Sequence, residues 1–254
     1  MFDTRAVPSV VPTAIDPAAD VAPELALRRA RLAAVADRVR PLVLAREHTL
    51  PLAAPLTQLF PDGALRRGIT VTVEGSGAAS IGLVLAAAPV HAGSWVAFVD
   101  LPELNLAAAV EAGLVLERVA CIRSGAQWAA VVAALLGAFD IVVVGMGRRV
   151  RAGDVGRLGA RARERGSVLV ALRGACGAAV WPATPDLTLT AGVSQWSGLG
   201  AGHGHLQART LTVRAIGRHG FSRPRQVDLV FPLTASAAHE SRLTVAGAVI
   251  AHAG

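Results

Sequence analysis

Apolar and polar positions alternate along Ile69-Thr-Val-Thr-Val73, a period of two rich in β-branched residues that predicts a β-strand. Glu74-Gly-Ser-Gly77 breaks the pattern, and good helix formers run from Ala78 to about Ala88, so the stretch reads as strand, glycine turn and helix. Apolar runs of strand length recur at Ser94 to Asp100 and at Asp140 to Val144, and the second, Asp-Ile-Val-Val-Val, suits a parallel sheet buried on both faces. Shorter strands are expected at Arg118 to Ile122 and Ser167 to Leu172, alternating with helices at Leu104 to Leu116, Gln127 to Ala138 and Asp154 to Arg165. After Asp186 the strands Leu187 to Val193, Ala208 to Gly217 and Gln226 to Phe231 follow one another without helices, which predicts an antiparallel extension. The fold class is therefore α/β, with a mostly parallel central sheet and antiparallel C-terminal strands.

The ends behave differently. Residues 1 to 22 are rich in Pro, Ala and Val without periodicity and read as a flexible arm. Leu25, Leu32, Val35, Val39 and Val43 then recur at spacings of seven, three and four, opposite several arginines, so an amphipathic helix is expected, ending or kinking at Pro41. Leu50 to Gly68, with Pro51, Pro55 and Pro61, reads as a connector whose Asp62-Gly63 marks a turn before the central strand. Beyond Pro232, small and polar residues precede an uncharged stretch from Leu243 to Ile250. This divides the chain into arm and helix (1–49), core (50–232) and tail (233–254). The apolar faces of the two ends, Leu25, Leu32 and Val35 on one and Leu243, Val245, Val249 and Ile250 on the other, are candidates for partner binding.

Composition narrows the picture. With 53% hydrophobic and 17% charged residues the chain should be globular, and the net charge of +7 rests entirely on arginine, since no lysine occurs. A basic balance of this kind favours an acidic partner, though arginine in an alanine-rich chain also follows from genome base composition. Cys121 and Cys176 lie in or beside apolar segments, where buried free thiols and a reducing, cytoplasmic compartment are expected. Pro8, Pro12 and Pro17 interrupt any signal peptide. The apolar run from Trp128 to Met146 contains Gly137 and Asp140, so it reads as helix then buried strand rather than a membrane span.

The glycine turn invites a phosphate. In the P-loop, G-x-x-x-x-G-K-[ST], backbone amides cradle phosphates, the lysine neutralises them and the hydroxyl holds magnesium. With Gly77 as the second glycine, Ala78 replaces the lysine and Ala79 the hydroxyl, leaving a relic of Gly75, Gly77 and Ser80. A second reading takes Gly75 to Ser80 as a dinucleotide fingerprint with Asp100 as the ribose ligand; a third is a plain tight turn.

The order of elements resembles RecA from about Leu50 to Pro232, with Ala97-Phe-Val-Asp100 after the second strand and Phe139-Asp-Ile-Val-Val-Val-Gly145 where RecA carries its Walker B strand. Among RecA-like proteins of this length it is similar to the ImuA-prime type of actinobacterial mutasome accessory protein. SulA-type cell-division inhibitors belong to the same broad group. The resemblance implies a RecA-like P-loop core preceded by an N-terminal helix. It also implies that Gly145 stands for the Walker B aspartate, Pro102 for the catalytic glutamate and Gly174 for the glutamine that senses γ-phosphate. Charge neutralisation and positioning supply nearly all of phosphoryl-transfer catalysis, so the expectation is a non-catalytic ATPase relic without cofactor or metal. Its implied partners are a polymerase-like protein of the ImuB type, the error-prone polymerase, RecA and, weakly, DNA; no membrane is implied.

The first DNA-holding loop of RecA would correspond to Met146 to Asp154, where Arg148, Arg149 and Arg151 could meet phosphate, form a protein-contact patch or simply be solvated. The second, Gly174 to Asp186, has no basic residue. His203-Gly-His205 among Gly198, Gly200 and Gly202 suits a loop and lacks the further ligands zinc needs. Trp95, Trp128, Trp181 and Trp196 are expected in the core or at an interface.

Overall fold

A computed structural model of the protein describes residues 48–147, 149–174, 180–200 and 203–232. The expected N-terminal helix with Leu25, Leu32 and Val35, the tail with Leu243, Val245, Val249 and Ile250, and Arg148 and Cys176 all lie outside these residues.

Ten strands are described: β1 (Thr49–Leu50), β2 (Leu65–Arg66), β3 (Thr70–Glu74), β4 (Val96–Val99), β5 (Val119–Ile122), β6 (Ile141–Gly145), β7 (Val168–Arg173), β8 (Leu187–Leu199), β9 (Gly204–Gly217) and β10 (Arg225–Phe231). The helices are α1 (Ala54–Thr57), α2 (Ala78–His91), α3 (Leu106–Glu111), α4 (Trp128–Leu135) and α5 (Ala152–Arg165). Eight strands form one sheet in the order β10-β9-β8-β3-β7-β6-β4-β5, parallel from β8 to β5, with β9 antiparallel to both β8 and β10. This is the expected α/β class, mostly parallel with antiparallel C-terminal strands.

Alternation decides which face each residue covers. Val71 and Val73 of β3, Phe98, Val143 and Val170 pack with Ile81, Val84 and Leu85 of α2 in the larger core cluster. On the opposite face Val99, Val142, Val144, Leu169 and Ala171 meet Trp128 and Val132 of α4 and Val155 and Leu158 of α5. Each buried Val or Leu here contributes about 1.5–3 kcal/mol of transfer free energy. The second face turns polar at β3, where Thr72 Oγ1 donates to Thr188 Oγ1 at 3.1 Å, so β8 to β10 need no helix behind them.

The N-terminal ends of the strands are tied by carboxylates. Asp140 accepts from Arg67 Nη1 at 2.7 Å and from the Trp95 amide at 2.9 Å, while Asp186 accepts from the Thr70 amide at 2.8 Å. α5 starts at Ala152, two residues earlier than expected, and stops at Gly166, whose φ of 67° is easy only for glycine.

Several sequence expectations are corrected. The connector contributes to the core: β1 pairs with β2, Leu56, Leu59 and Phe60 are buried, and Phe60 meets Phe221 edge-on at 5.8 Å. α3 spans Leu106–Glu111 rather than Leu104 to Leu116, capped by Asn105 Oδ1 and followed by Gly113 at φ 90°. Cys121 is exposed because β5 is the sheet edge. β8 and β9 run on as a long hairpin, so Gly198, His205 and Gly204 belong to strands and not to a loop. Among the described residues no helix is long and apolar enough to cross a membrane.

Candidate functional site

Three residues, Gly75, Ser76 and Gly77, join the end of β3 to α2. If Gly77 is the second glycine of the six-residue G-x-x-x-x-G spacing, the first falls at Thr72, inside β3 and paired to both Ala171 of β7 and Thr188 of β8. The link is a tight turn rather than an arch of that length, closed by a hydrogen bond from the Ala78 amide to the Gly75 carbonyl at 3.1 Å. Gly75 has φ 102°, and a Cβ there would lie 2.5 Å from the Ala191 carbonyl oxygen. A Cβ on Gly77 would overlap Leu211 Cδ2 and approach Ala191 Cβ at 3.2 Å. Gly75 is needed because its positive φ and the Ala191 backbone of β8 exclude a side chain, and Gly77 is crowded by the Leu211 side chain of β9. Ala78, the position expected to correspond to the P-loop lysine, is only 1% exposed and faces the core.

Gly145, expected to correspond to the Walker B aspartate, is closed in a similar way. Gly145 ends β6, and a Cβ there would overlap the Asp100 carbonyl oxygen and stand 2.9 Å from Leu101 Cδ2. Asp100 has φ 52°, a left-handed conformation that its carboxylate stabilises by accepting from the Ser124 amide at 2.8 Å and from the Ser124 hydroxyl. Asp100 is therefore engaged locally. It is also three strands from β3, about 14 Å at ordinary strand spacing, which removes the dinucleotide reading in which it would meet a ribose held over Gly75.

Between the C-terminal ends of β4, β5 and β6 lies a crevice of about 780 Å³ lined by Phe98, Leu101, Leu104, Leu106, Cys121 and Gly145. The chain leaves β4 toward β5 and leaves β6 in the opposite direction toward β7, so this is a topological switch point, the usual place for crevices in such sheets. Partial burial raises the pKa of the Cys121 thiol above its ordinary value.

A second concavity was not foreseen. The register of β8 and β9 passes from Ala191 opposite Val213 to Ser194 opposite Leu211, so β8 carries one extra residue at this bulge. The bulge reverses parity: Val193 is expelled at 85% exposure, while Ser194 and Trp196 join the face that Ala191 occupied. Trp196, Arg209 and Phe231 then stand opposite one another across β8, β9 and β10. The Arg209 guanidinium lies 5.4 Å from the Trp196 ring and 5.9 Å from that of Phe231, and it donates to Ser194 Oγ at 3.0 Å and to Ser80 Oγ at 3.2 Å. Ser80, in the first turn of α2, is thus an anchor for the hairpin. Beside this row a groove of about 500 Å³ is lined by Leu83, Ala108, Ala112, Trp196, Leu206 and Phe231. Gly192 within a strand pattern was the sequence signal for the bulge, whereas the role of Arg209 left none.

Arg149 and Arg151 are exposed between β6 and α5, and neither enters an ion pair among the described residues. Of the tryptophans, Trp128 and Trp181 are buried, and Trp95 and Trp196 are about half exposed. Among the described residues no group of three His, Cys, Asp or Glu side chains is placed to hold a metal ion.

Residues 58–182 match the model of the MT3502 N-terminal domain. Over 101 residues, 39% of this chain, the sequence is 40% identical to the uncharacterized protein Rv3395c of Mycobacterium tuberculosis, and the chain spans half the length of that relative. Among solved structures, the RadB recombinase is similar with a TM-score of 0.46 at 15% identity, covering 64% of this chain and 86% of that one. The family match takes in the closed turn and the β4–β6 crevice and stops before β8, so the sequence likeness to the MT3502 N-terminal domain concerns the parallel half of the sheet.

Proposed function

We propose that the protein is a non-catalytic, RecA-like adaptor of damage-induced translesion synthesis, of the ImuA-prime type, which binds a polymerase-like partner and helps to recruit an error-prone polymerase. The observation that carries the non-catalytic part is the turn at Gly75–Gly77, three residues long and filled from behind by Ala191 and Leu211. A nucleotide's phosphates require an amide arch, a cation and a magnesium ligand, and here the arch has no length, Ala78 is buried and Gly145 abuts the Asp100 backbone. In this reading the protein works by binding. The exposed Trp196 and Leu206 of the hairpin, which line one groove, support that reading, as large apolar side chains grouped on a surface mark interaction sites. The choice of partner rests on the RecA-like order of elements and the damage-response proteins it resembles.

Two measurements test the proposal. Calorimetry with magnesium ATP should give no saturable binding, and micromolar affinity with turnover that is lost in Ser80→Ala would overturn the non-catalytic reading. Co-purification with an ImuB-type protein should yield a stoichiometric complex; its absence at micromolar concentrations of both would remove the adaptor role.

A further inference from the structure

The crevice at the C-terminal ends of β4, β5 and β6 stands apart from the glycine turn, since β7 and β6 separate β4 from β3. Its two rims are tied together through Asp100. The Asp100 amide donates to the Ile122 carbonyl at 2.9 Å, and the Asp100 carboxylate accepts from the Ser124 amide at 2.8 Å and from the Ser124 hydroxyl. These bonds hold the chain after β4, which carries Leu101 and Leu104, against the chain after β5, which carries Arg123. The hollow is therefore formed before anything enters it, which spares a ligand the cost of ordering its site.

The lining is apolar with one available cation. Phe98 is buried, Leu101, Leu104 and Ile122 are half-buried, and Leu106 at 47% exposure leaves apolar surface uncovered beside the exposed Cys121. Arg123 is exposed and enters no ion pair among the described residues, whereas the Asp100 carboxylate is already engaged by Ser124. A crevice of about 780 Å³ falls within the range of small-molecule sites, which are mostly apolar with a few placed polar groups. Its position at a topological switch point is also where open α/β sheets ordinarily take ligands. This volume with a single guanidinium suits an apolar ring body bearing one negative charge.

We propose that the crevice binds a small organic acid whose ring body lies among Leu101, Leu104, Leu106 and Cys121 and whose anion meets Arg123. The site uses neither the glycine turn nor a partner protein, so its failure would leave the non-catalytic adaptor reading standing.

Two dyes with the same ring body separate the contacts: anilinonaphthalene sulfonate carries the anion, and phenylnaphthylamine lacks it. On the full chain with Cys176→Ser, both should bind saturably by fluorescence. Each should slow alkylation of Cys121 about tenfold at ten times its dissociation constant, which locates the dye in the crevice. Arg123→Gln should weaken the sulfonate about two- to fivefold and leave phenylnaphthylamine unchanged. Cys121→Phe fills an exposed edge position of the crevice and should abolish binding of both, and the alkylation measurement on the native side chain stands whether or not that variant folds. Dye binding that leaves Cys121 alkylation unchanged, or that survives in Cys121→Phe, would overturn the proposal. Equal effects of Arg123→Gln on the two dyes would overturn it as well. So would protection of Cys121 that needs no dye and disappears on dilution, which would mean that a second copy fills the crevice.

Discussion

The carbonyl oxygen of Asp100 fills the space into which a side chain at Gly145 would grow, bringing the end of β6 into backbone contact with the turn after β4. The contact depends on the left-handed backbone of Asp100, which Ser124 holds through its amide and hydroxyl. Gly145→Ala should therefore cost about 1–3 kcal/mol as an overpacking change, and Gly145→Asp more. Urea denaturation measures both. An unchanged midpoint for Gly145→Ala would mean that the Asp100 turn yields freely.

Restoring the P-loop lysine alone should not restore nucleotide binding. Ala78 is 1% exposed within the core cluster around α2, so Ala78→Lys must either bury an ammonium group or push α2 away from β8 and β9. The expected outcome is a lowered melting temperature that magnesium ATP does not raise. Stabilisation by ATP in thermal shift would show that the turn can reopen into a phosphate cradle.

Gly77 and Leu211 should be energetically coupled, because a Cβ on the first overlaps the second. Gly77→Ala is expected to destabilise the native chain by about 1–3 kcal/mol and a Leu211→Ala background by less, a coupling of about 0.5–3 kcal/mol in a double-mutant cycle. Additive effects would place the strain elsewhere.

If the β6–α5 connection meets DNA, replacing Arg148, Arg149 and Arg151 by alanine should weaken single-strand binding and flatten its salt dependence by up to about three phosphate contacts. Fluorescence anisotropy across a salt series provides the check. An unchanged slope would remove these arginines from any DNA contact.

Cys121 should be a slow nucleophile. Partial burial holds its thiol pKa above the ordinary value, so at neutral pH less thiolate is present than on a free cysteine, and the difference closes only at alkaline pH. Alkylation followed by mass spectrometry in Cys176→Ser should show Cys121 modified more slowly than a free thiol at pH 7 and catching up as pH rises. Faster modification than the free thiol at pH 7 would reverse the sign of the effect.

The sequence by itself determined the class of fold. The alternation at Ile69–Val73, the apolar run at Asp140–Val144 and the change from helix–strand to strand–strand order after Asp186 are local patterns. They record which residues must face a core, and every expected strand formed, with β8 running six residues past its expected end at Val193. It also determined that no lysine could serve a phosphate. Tertiary structure alone decided the rest, because the rest depends on what lies across the sheet. The proline-rich connector became core once Phe60 found Phe221, and Cys121 became exposed once β5 took the edge. Gly75, Gly77 and Gly145 read as a relic phosphate site, yet their packing reason is the approach of Ala191, Leu211 and Asp100, residues distant from them in sequence. The Trp196–Arg209–Phe231 row arose from one extra residue in β8, since in a strand of period two a single insertion exchanges the faces of every residue beyond it.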